Sequence, residues 1–415
     1  MGLSYLRFNH ITDNGVDRVN KIKLHFAKMK LRGTLIKAFK DGEIQKEIKV
    51  GEKTHVQFPT IHDVHIDQDK EAVRFVFTLQ NGINPKLIHE QEWIFKQHFG
   101  ENIEISGKYK KFVLWVYSKG MPKKITYKFE NVEPHMKGKY IPIVVGVDRR
   151  NVLNILDLKE LHHILLTGST GSGKSSLFRT MLVSLILHKS AKDIQFVLGD
   201  LKQSEFGIYR NLPHVKSLHM RKETLYIELI KIEREMKRRG ELLDKYDVEH
   251  VSELKQKLPI IMIIIDEIIT LTDDQRIMKI LTDISCLGRS ASIHIIGAMQ
   301  RGDAKNLGGQ FLNNMNCRIS GKQADATNAK VAGLKTTTDI TVAGRMALSI
   351  NNEEKHVQVP FMDKQKAKRL LEPYKLNVIQ EDNQVSCMSD ENIQESTGVK
   401  EIKPMPIFGL LKGDK

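Results

Sequence analysis

Between residues 140 and 300 the chain alternates two kinds of pattern. Residues 163–167, 194–198, 261–265 and 293–298 are short runs dominated by apolar side chains. Runs of this kind predict central parallel strands covered on both faces. The stretches between them carry helical spacing. Residues 174–188 place Leu177, Phe178, Met181, Leu182, Leu185 and Ile186 on one helical face. Residues 221–246 predict a long charged helix, with Glu233–Lys237 and Glu235–Arg239 at four-residue spacing. Alternating strands and helices predict a doubly wound α/β domain over residues 141–375.

The first 140 residues follow another rhythm and predict a smaller α+β domain. Residues 72–79 read as a strand ended by the turn pair Asn81-Gly82, and residues 103–106 and 111–118 as two more. Residues 85–99 have helical spacing, with Pro85 near the start and Gly100 after the end. Residues 21–40 contain seven Lys or Arg and no acid. They fit a strand pair, with Ile22, Leu24 and Phe26 alternating against Lys21, Lys23 and His25. They also fit a basic amphipathic surface helix for a membrane or acidic partner, ordinary solvated lysines, or a phosphate-contacting face. Residues 376–415 turn polar, with six acids and one base between Glu381 and Glu401, and read as a flexible tail. The tail ends in the apolar peptide PMPIFGLL, which fits a strand or peptide tucked on the body or a docking segment.

Composition narrows the class. The 415 residues carry a formal charge of +15, which points to a polyanionic partner. Residues 1–150 hold 27 Lys/Arg against 17 Asp/Glu, a net +10 and two thirds of that excess. The longest apolar stretches, 181–187 and 260–265, are far short of the roughly 20 residues that span a bilayer. No secretory signal is visible at the N-terminus, and Cys286, Cys317 and Cys387 form neither a disulfide framework nor a zinc knuckle. A cytoplasmic setting is expected, with any membrane attachment supplied by a partner.

The chemistry begins at Gly168-Ser169-Thr170-Gly171-Ser172-Gly173-Lys174-Ser175, followed by Ser176. The first eight residues fit GxxxxGK[ST], between a predicted strand and a predicted helix. Glycines let backbone N–H groups turn inward around phosphates, and a helix N-terminus adds its positive end. Lys174 would reach the β- and γ-phosphates, and Ser175 would supply a hydroxyl to Mg²⁺. ATP and Mg²⁺ are the expected cofactors. Ninety-two residues after Lys174, IIMIIIDE delivers Asp266 and Glu267 to a strand end, where open α/β sheets bind ligands. Asp266 can hold Mg²⁺ through its water shell, and Glu267 can polarise an attacking water. Gln300 ends the next apolar strand, either sensing the γ-phosphate or capping the strand.

These segments, in order, are HHILLTGSTGSGKSS, VLGDLKQSEFGIYRNLPHV, EREMKRRGELL, IIMIIIDE, GRSASIHIIGAMQR, NNMNCRIS and GRMALSI followed by VQVPF. The chain resembles the FtsK/SpoIIIE family of DNA-translocating ATPases, within the group that includes HerA-type motors and conjugative coupling proteins. The resemblance runs from about Val144 to Asp363. FTLQNGINPKLIHEQEWIFKQHFG is similar to the segment preceding the motor in coupling proteins of Gram-positive conjugative elements. The resemblance implies a RecA-like core in a hexameric ring around DNA, with ATP between neighbours. It matches Arg318 to a trans-acting arginine, with Arg289 as the alternative and a surface role open for both. It matches Lys330 and Lys335 to DNA-contacting loop positions.

Two segments depart from the family: DPK is Asp200-Leu201-Lys202 here, and QRP is Gln300-Arg301-Gly302. An N-terminal membrane span and a winged-helix domain after the motor are not expected. The implied function is ATP-driven DNA translocation of FtsK/SpoIIIE type, serving transfer of a conjugative element or plasmid with a membrane or relaxosome partner. The alternatives are a packaging or segregation motor, or a nucleotide-binding cargo adaptor with little turnover.

Overall fold

The apolar runs of the sequence become the middle of one ten-stranded sheet. The computed structural model describes residues 17–67, 71–300, 307–325, 327–329, 333–334, 336–338, 340–351 and 353–376. The expected tail lies, from residue 377 on, outside the described residues. The described chain to Leu376 falls within one compact unit.

The N-terminal part begins with helix α1 (Asp17–Asp41) and a hairpin of β1 (Lys46–Val50) and β2 (Lys53–Gln57). Then come β3 (Thr60–Asp67), β4 (Ala72–Thr78), α2 (Leu87–Glu90), α3 (Glu92–Phe99), β5 (Ile103–Gly107) and β6 (Lys111–Tyr117). The last four strands form an antiparallel sheet in the order β3-β4-β6-β5. The strand-pair reading of residues 21–40 is overturned, because this segment is helical. Its buried residues, Leu35, Ala38 and Phe39, recur at three and four positions, whereas Leu24 and Phe26 of the period-two pattern are exposed. Phe39 packs edge-on against Phe77 of β4 and Phe95 of α3, tying both helices to one sheet face. The helix expected over 85–99 is two helices, separated at Gln91.

The second part contains β7 (Ile125–Thr126), α4 (Phe129–Met136), β8 (Pro142–Asp148), β9 (Leu153–Asp157) and α5 (Leu158–Leu161). The α/β alternation follows with β10 (Ile164–Thr167), α6 (Lys174–His188), β11 (Ile194–Gly199), β12 (Val215–His219) and α7 (Lys222–Tyr246). It continues through β13 (Ile260–Ile265), α8 (Gln275–Leu287), β14 (Ile293–Met299), α9 (Gly309–Asn314) and β15 (Cys317–Ser320). The last elements are β16 (Arg345–Ile350), β17 (Glu353–Gln358), β18 (Pro360–Phe361) and α10 (Lys364–Leu371).

The sheet order is β12-β11-β13-β14-β10-β15-β16-β17-β8-β9. Strands from β12 to β15 are parallel, and β16, β17, β8 and β9 continue antiparallel. Strand β13 shows why its sequence has no polar alternation. Ile260, Met262 and Ile264 enter the core beneath α6, while Ile261, Ile263 and Ile265 enter the core beneath α7 and α8. Helix α6 is buried on more than the one face its apolar spacing marks, since Thr180, Val183 and Ser184 are buried too. Tyr127 reaches the Ser184 hydroxyl at 2.8 Å, and Thr180 donates to the Pro360 carbonyl at 3.0 Å. The ion pairs expected on α7 are present: Lys237 to Glu233 at 3.0 Å and Arg239 to Glu235 at 2.8 Å.

Candidate functional site

The loop from Gly168 to Gly173 joins β10 to α6 at the C-terminal edge of the parallel strands. Two neighbouring strands strap it in place. Ser169 N–H donates to the Lys322 carbonyl just after β15 (2.9 Å), and Gly344 N–H, just before β16, donates to the Ser172 carbonyl (2.9 Å). Glycine is required where the straps come close. A Cβ on Gly173 would stand 2.7 Å from Gly344 Cα, and φ is +107° there. A Cβ on Gly168 would meet Ser172 Oγ at 2.6 Å. Helix α6 begins without a side-chain cap, whereas Asp274 and Asp363 cap α8 and α10. Its first N–H groups are thus left for another acceptor.

The loop forms one wall of a cleft of about 530 Å³. Ser169, Thr170, Gly171, Gly173, Lys174, Ser175 and Ser176 line it, together with Asp266, Glu267 and Gln300. The structure therefore brings together the residues singled out in both acid-bearing and phosphate-loop motifs. Gly168 and Ser172 lie beneath the loop rather than on the cleft wall, and Ser176 anchors the backbone of Met362 through its hydroxyl (2.9 Å).

Lys174 Nζ donates to the Met299 carbonyl at 2.9 Å, and burial pushes its ammonium down to about 8. Asp266 accepts from Leu201 N–H at 3.0 Å. Burial, reinforced by the negative charge of Asp200, pushes its carboxyl up to about 6. Both oxygens of Glu267 are held: one by Lys202 Nζ at 2.6 Å, the other by Gln300 N–H at 3.2 Å. Gln300 thus reaches the site through its backbone as well as by position. The Ser175 hydroxyl donates to Glu205, which Arg179 faces at 3.5 Å. Asp200 accepts from the N–H groups of Ser204 (2.9 Å), Glu205 (3.3 Å) and Phe206 (2.9 Å), fixing the turn that carries Glu205.

The other candidates stand apart from the cleft. Arg318 is half-buried and donates to the Leu312 carbonyl at 3.0 Å. Arg289 precedes β14, at the opposite edge of the sheet from the phosphate loop. Neither lines the cleft. Lys330 and Lys335 lie outside the described residues. Two parallel strands, β11 and β12, separate α6 from the acid-bearing strand in sequence, not the single strand expected.

Residues 128–259 match the family model described as FtsK/SpoIIIE family. The chain carries an FtsK/SpoIIIE-type ATPase domain. Among curated relatives it is 30% identical over 233 residues to the ESX secretion system protein EccC of Geobacillus thermodenitrificans, covering 52% of this chain and 16% of that protein. It is 30% identical over 202 residues to the DNA translocase FtsK of Campylobacter jejuni, covering 46% and 21%. It is 27% identical over 333 residues to the ESX secretion system protein YukB of Bacillus subtilis, covering 75% and 21%. The chain spans about a fifth or less of the length of these relatives. The FtsK/SpoIIIE-type fold is also shared with the pCW3 conjugation coupling protein TcpA, in its monomer form with ATPgS. The TM-score there is 0.55 at 22% identity, over 77% of this chain and 94% of that one. EssC ATPases 2 and 3 from Geobacillus thermodenitrificans give 0.54 at 19% identity, over 62% and 52%.

The FtsK/SpoIIIE-type site has the donors a nucleoside triphosphate requires. Loop N–H groups, the uncapped start of α6 and the Lys174 ammonium are anion donors, and Met299 occupies only one of the three protons of Lys174. Ser175 and Asp266 are oxygen ligands suited to Mg²⁺, which binds one or two carboxylates together with phosphate oxygens. When bound, the ion would neutralise phosphate charge. Sequence reasoning missed Lys202 as the partner of Glu267, Glu205 as the partner of Ser175, and Lys123, Lys124, Val359 and Phe361 as residues that line the cleft. Lys202 and Glu205 sit within a quoted motif and could have been weighed there. Val359 and Phe361 lie in the quoted VQVPF, whereas Lys123 and Lys124 carry no local signal.

Proposed function

We propose that this chain hydrolyses ATP and uses the cycle to translocate DNA, as part of the transfer machinery of a conjugative element or plasmid. The observation that carries the reading is the placement of Glu267 in the same cleft as Lys174 and Ser175, with both of its oxygens fixed. A buried, oriented carboxylate at the phosphate end of a cleft suits a water-activating base. A cargo adaptor with little turnover has no use for one. In this reading residues 141–375 are the motor, with Lys174 and Ser175 holding phosphate and metal, Asp266 sharing the metal, and Gln300 sensing the γ-phosphate. Arg318 acts on a neighbour's nucleotide in a homo-hexamer, and Lys330 and Lys335 touch DNA phosphates. The net +10 of residues 1–150 supports a polyanionic partner.

A second reading has its own support. A relative named as an ESX secretion protein matches at the same 30% identity as the relative named as a DNA translocase, and a second ESX protein matches at 27%. In that reading the same motor acts on protein. ATP turnover measured with and without DNA at low salt separates the two, with Lys174→Ala as control. Stimulation by DNA of any sequence, falling steeply with salt, is the expected result. Robust turnover indifferent to DNA would sink the DNA reading and leave the protein-substrate one. Among the described residues no helix is long and apolar enough to cross a membrane, and membrane recruitment through a partner belongs to the same proposal.

A further inference from the structure

The cleft is also lined by residues that phosphate does not need. After β6 the chain leaves the four-stranded sheet and passes along the cleft before entering β7. Arg345 holds this connector by donating to the carbonyls of Met121 (3.4 Å) and Pro122 (3.1 Å). Strand β7 then pairs with β18, Ile125 opposite Pro360 and Thr126 opposite Phe361. Lys123 and Lys124 are thereby placed on the cleft wall beside Val359 and Phe361.

The Phe361 ring is 44% exposed, although the backbone on both sides of it is pinned to α6. Thr180 and Ser176 hydroxyls bind the Pro360 carbonyl at 3.0 and 3.3 Å, and Ser176 Oγ accepts from Met362 N–H at 2.9 Å. Lys124 Nζ stands 4.8 Å from the ring centroid. An exposed ring on a fixed backbone is a stacking platform, and a lysine over it adds a cation–π contact. One cleft wall therefore carries anion donors at the phosphate loop and an aromatic surface at Phe361.

We propose that Phe361, covered by Lys124, is the nucleobase subsite of this cleft and takes the base of a nucleoside triphosphate by stacking. The proposal rests on the nucleotide reading of the phosphate loop. Every base has a π-face, so stacking selects a nucleotide over bare polyphosphate without distinguishing adenine from guanine. Because Lys124 belongs to the connector from the N-terminal sheet, an occupied subsite also orders that connector.

Calorimetric titration of the full chain with ATP, GTP and inorganic tripolyphosphate in Mg²⁺ tests this. The wild-type protein binds ATP and GTP alike, and tripolyphosphate about tenfold more weakly, the scale of one base stacked on an aromatic side chain. Phe361→Ala weakens ATP about tenfold and leaves tripolyphosphate unchanged. Phe361→Trp keeps the wild-type ratio, and Lys124→Met loses a few-fold in ATP affinity. ATP, but not tripolyphosphate, slows tryptic cleavage after Lys123 and Lys124. Equal weakening of ATP and tripolyphosphate in Phe361→Ala would show a merely structural ring and overturn the proposal, as would unchanged ATP binding. Wild-type protein that binds neither ligand would instead refute the nucleotide reading itself.

Discussion

Lys202 Nζ lies 2.6 Å from a carboxylate oxygen of Glu267, whose other oxygen accepts from the Gln300 backbone. The carboxylate is therefore aimed from two sides by groups that follow two different strands, β11 and β14. The Lys202 contact holds it in place, and a misplaced base loses much of its effect on rate. Lys202→Ala is expected to lower kcat about tenfold while leaving the dissociation constant for ATP near the wild-type value. Single-turnover hydrolysis alongside calorimetric binding checks this. A rise in turnover would make Lys202 a brake on Glu267 instead.

The two shifted groups of the cleft set a pH window. Asp266 must be ionised to share a metal, and burial places its titration at about 6. Lys174 must be protonated to hold phosphate, and burial places its titration at about 8. For ATP, kcat/KM is expected to fall as pH drops through about 6 and again as pH rises through about 8, since this ratio reports the free enzyme. Bound phosphate raises the Lys174 value, so the alkaline limb of kcat alone should lie higher. Initial rates across pH 5 to 9.5 give both profiles.

Arg239 is 1% exposed and donates to Glu235 (2.8 Å) and to the carbonyls of Ala291 (2.7 Å) and Pro259 (2.9 Å). It ties the middle of α7 to the segments that precede β14 and β13. Removing it leaves the Ala291 and Pro259 carbonyls without this donor, while Glu235 keeps Arg238. Arg239→Ala is expected to cost about 2–4 kcal/mol in urea unfolding, from the two carbonyls it leaves unsatisfied, with little effect on nucleotide affinity in the fraction that folds. A loss below about 1 kcal/mol would contradict this account.

Arg318 is bonded to carbonyls of its own chain, Leu312 at 3.0 Å and Met315 at 3.4 Å. If it serves a neighbour's nucleotide, an Arg318→Ala chain keeps an intact phosphate loop and a Lys174→Ala chain keeps an intact arginine. Mixing the two inactive variants is then expected to restore turnover above that of either alone. No recovery in a mixture shown by cross-linking to contain hybrid assemblies would remove the trans role.

How much of this was legible depends on distance along the chain. The phosphate loop and the Asp266-Glu267 pair were readable because each is a local run whose neighbours fix its place in the sheet. The continuous apolar runs predicted buried parallel strands, and β13 shows both of its faces in separate cores. Residues 21–40 left a strand and a helix open, since lysines fall on every side and only Leu35, Ala38 and Phe39 reveal the period. Phe361 stood in the quoted VQVPF, but its pairing with Lys124 was invisible, because 237 positions of chain separate them and the β7–β18 pairing brings them together. Lys202 stood in a quoted motif, yet its partner Glu267 is 65 positions away.

The straps on the phosphate loop have a mechanical side. The stretch from Gly321 to Gly344 hangs between β15 and β16, and both of its ends are fastened to the loop: Lys322 accepts from Ser169, and Gly344 donates to Ser172. Displacing either end of that stretch would strain a backbone hydrogen bond to the loop that is shaped for phosphate.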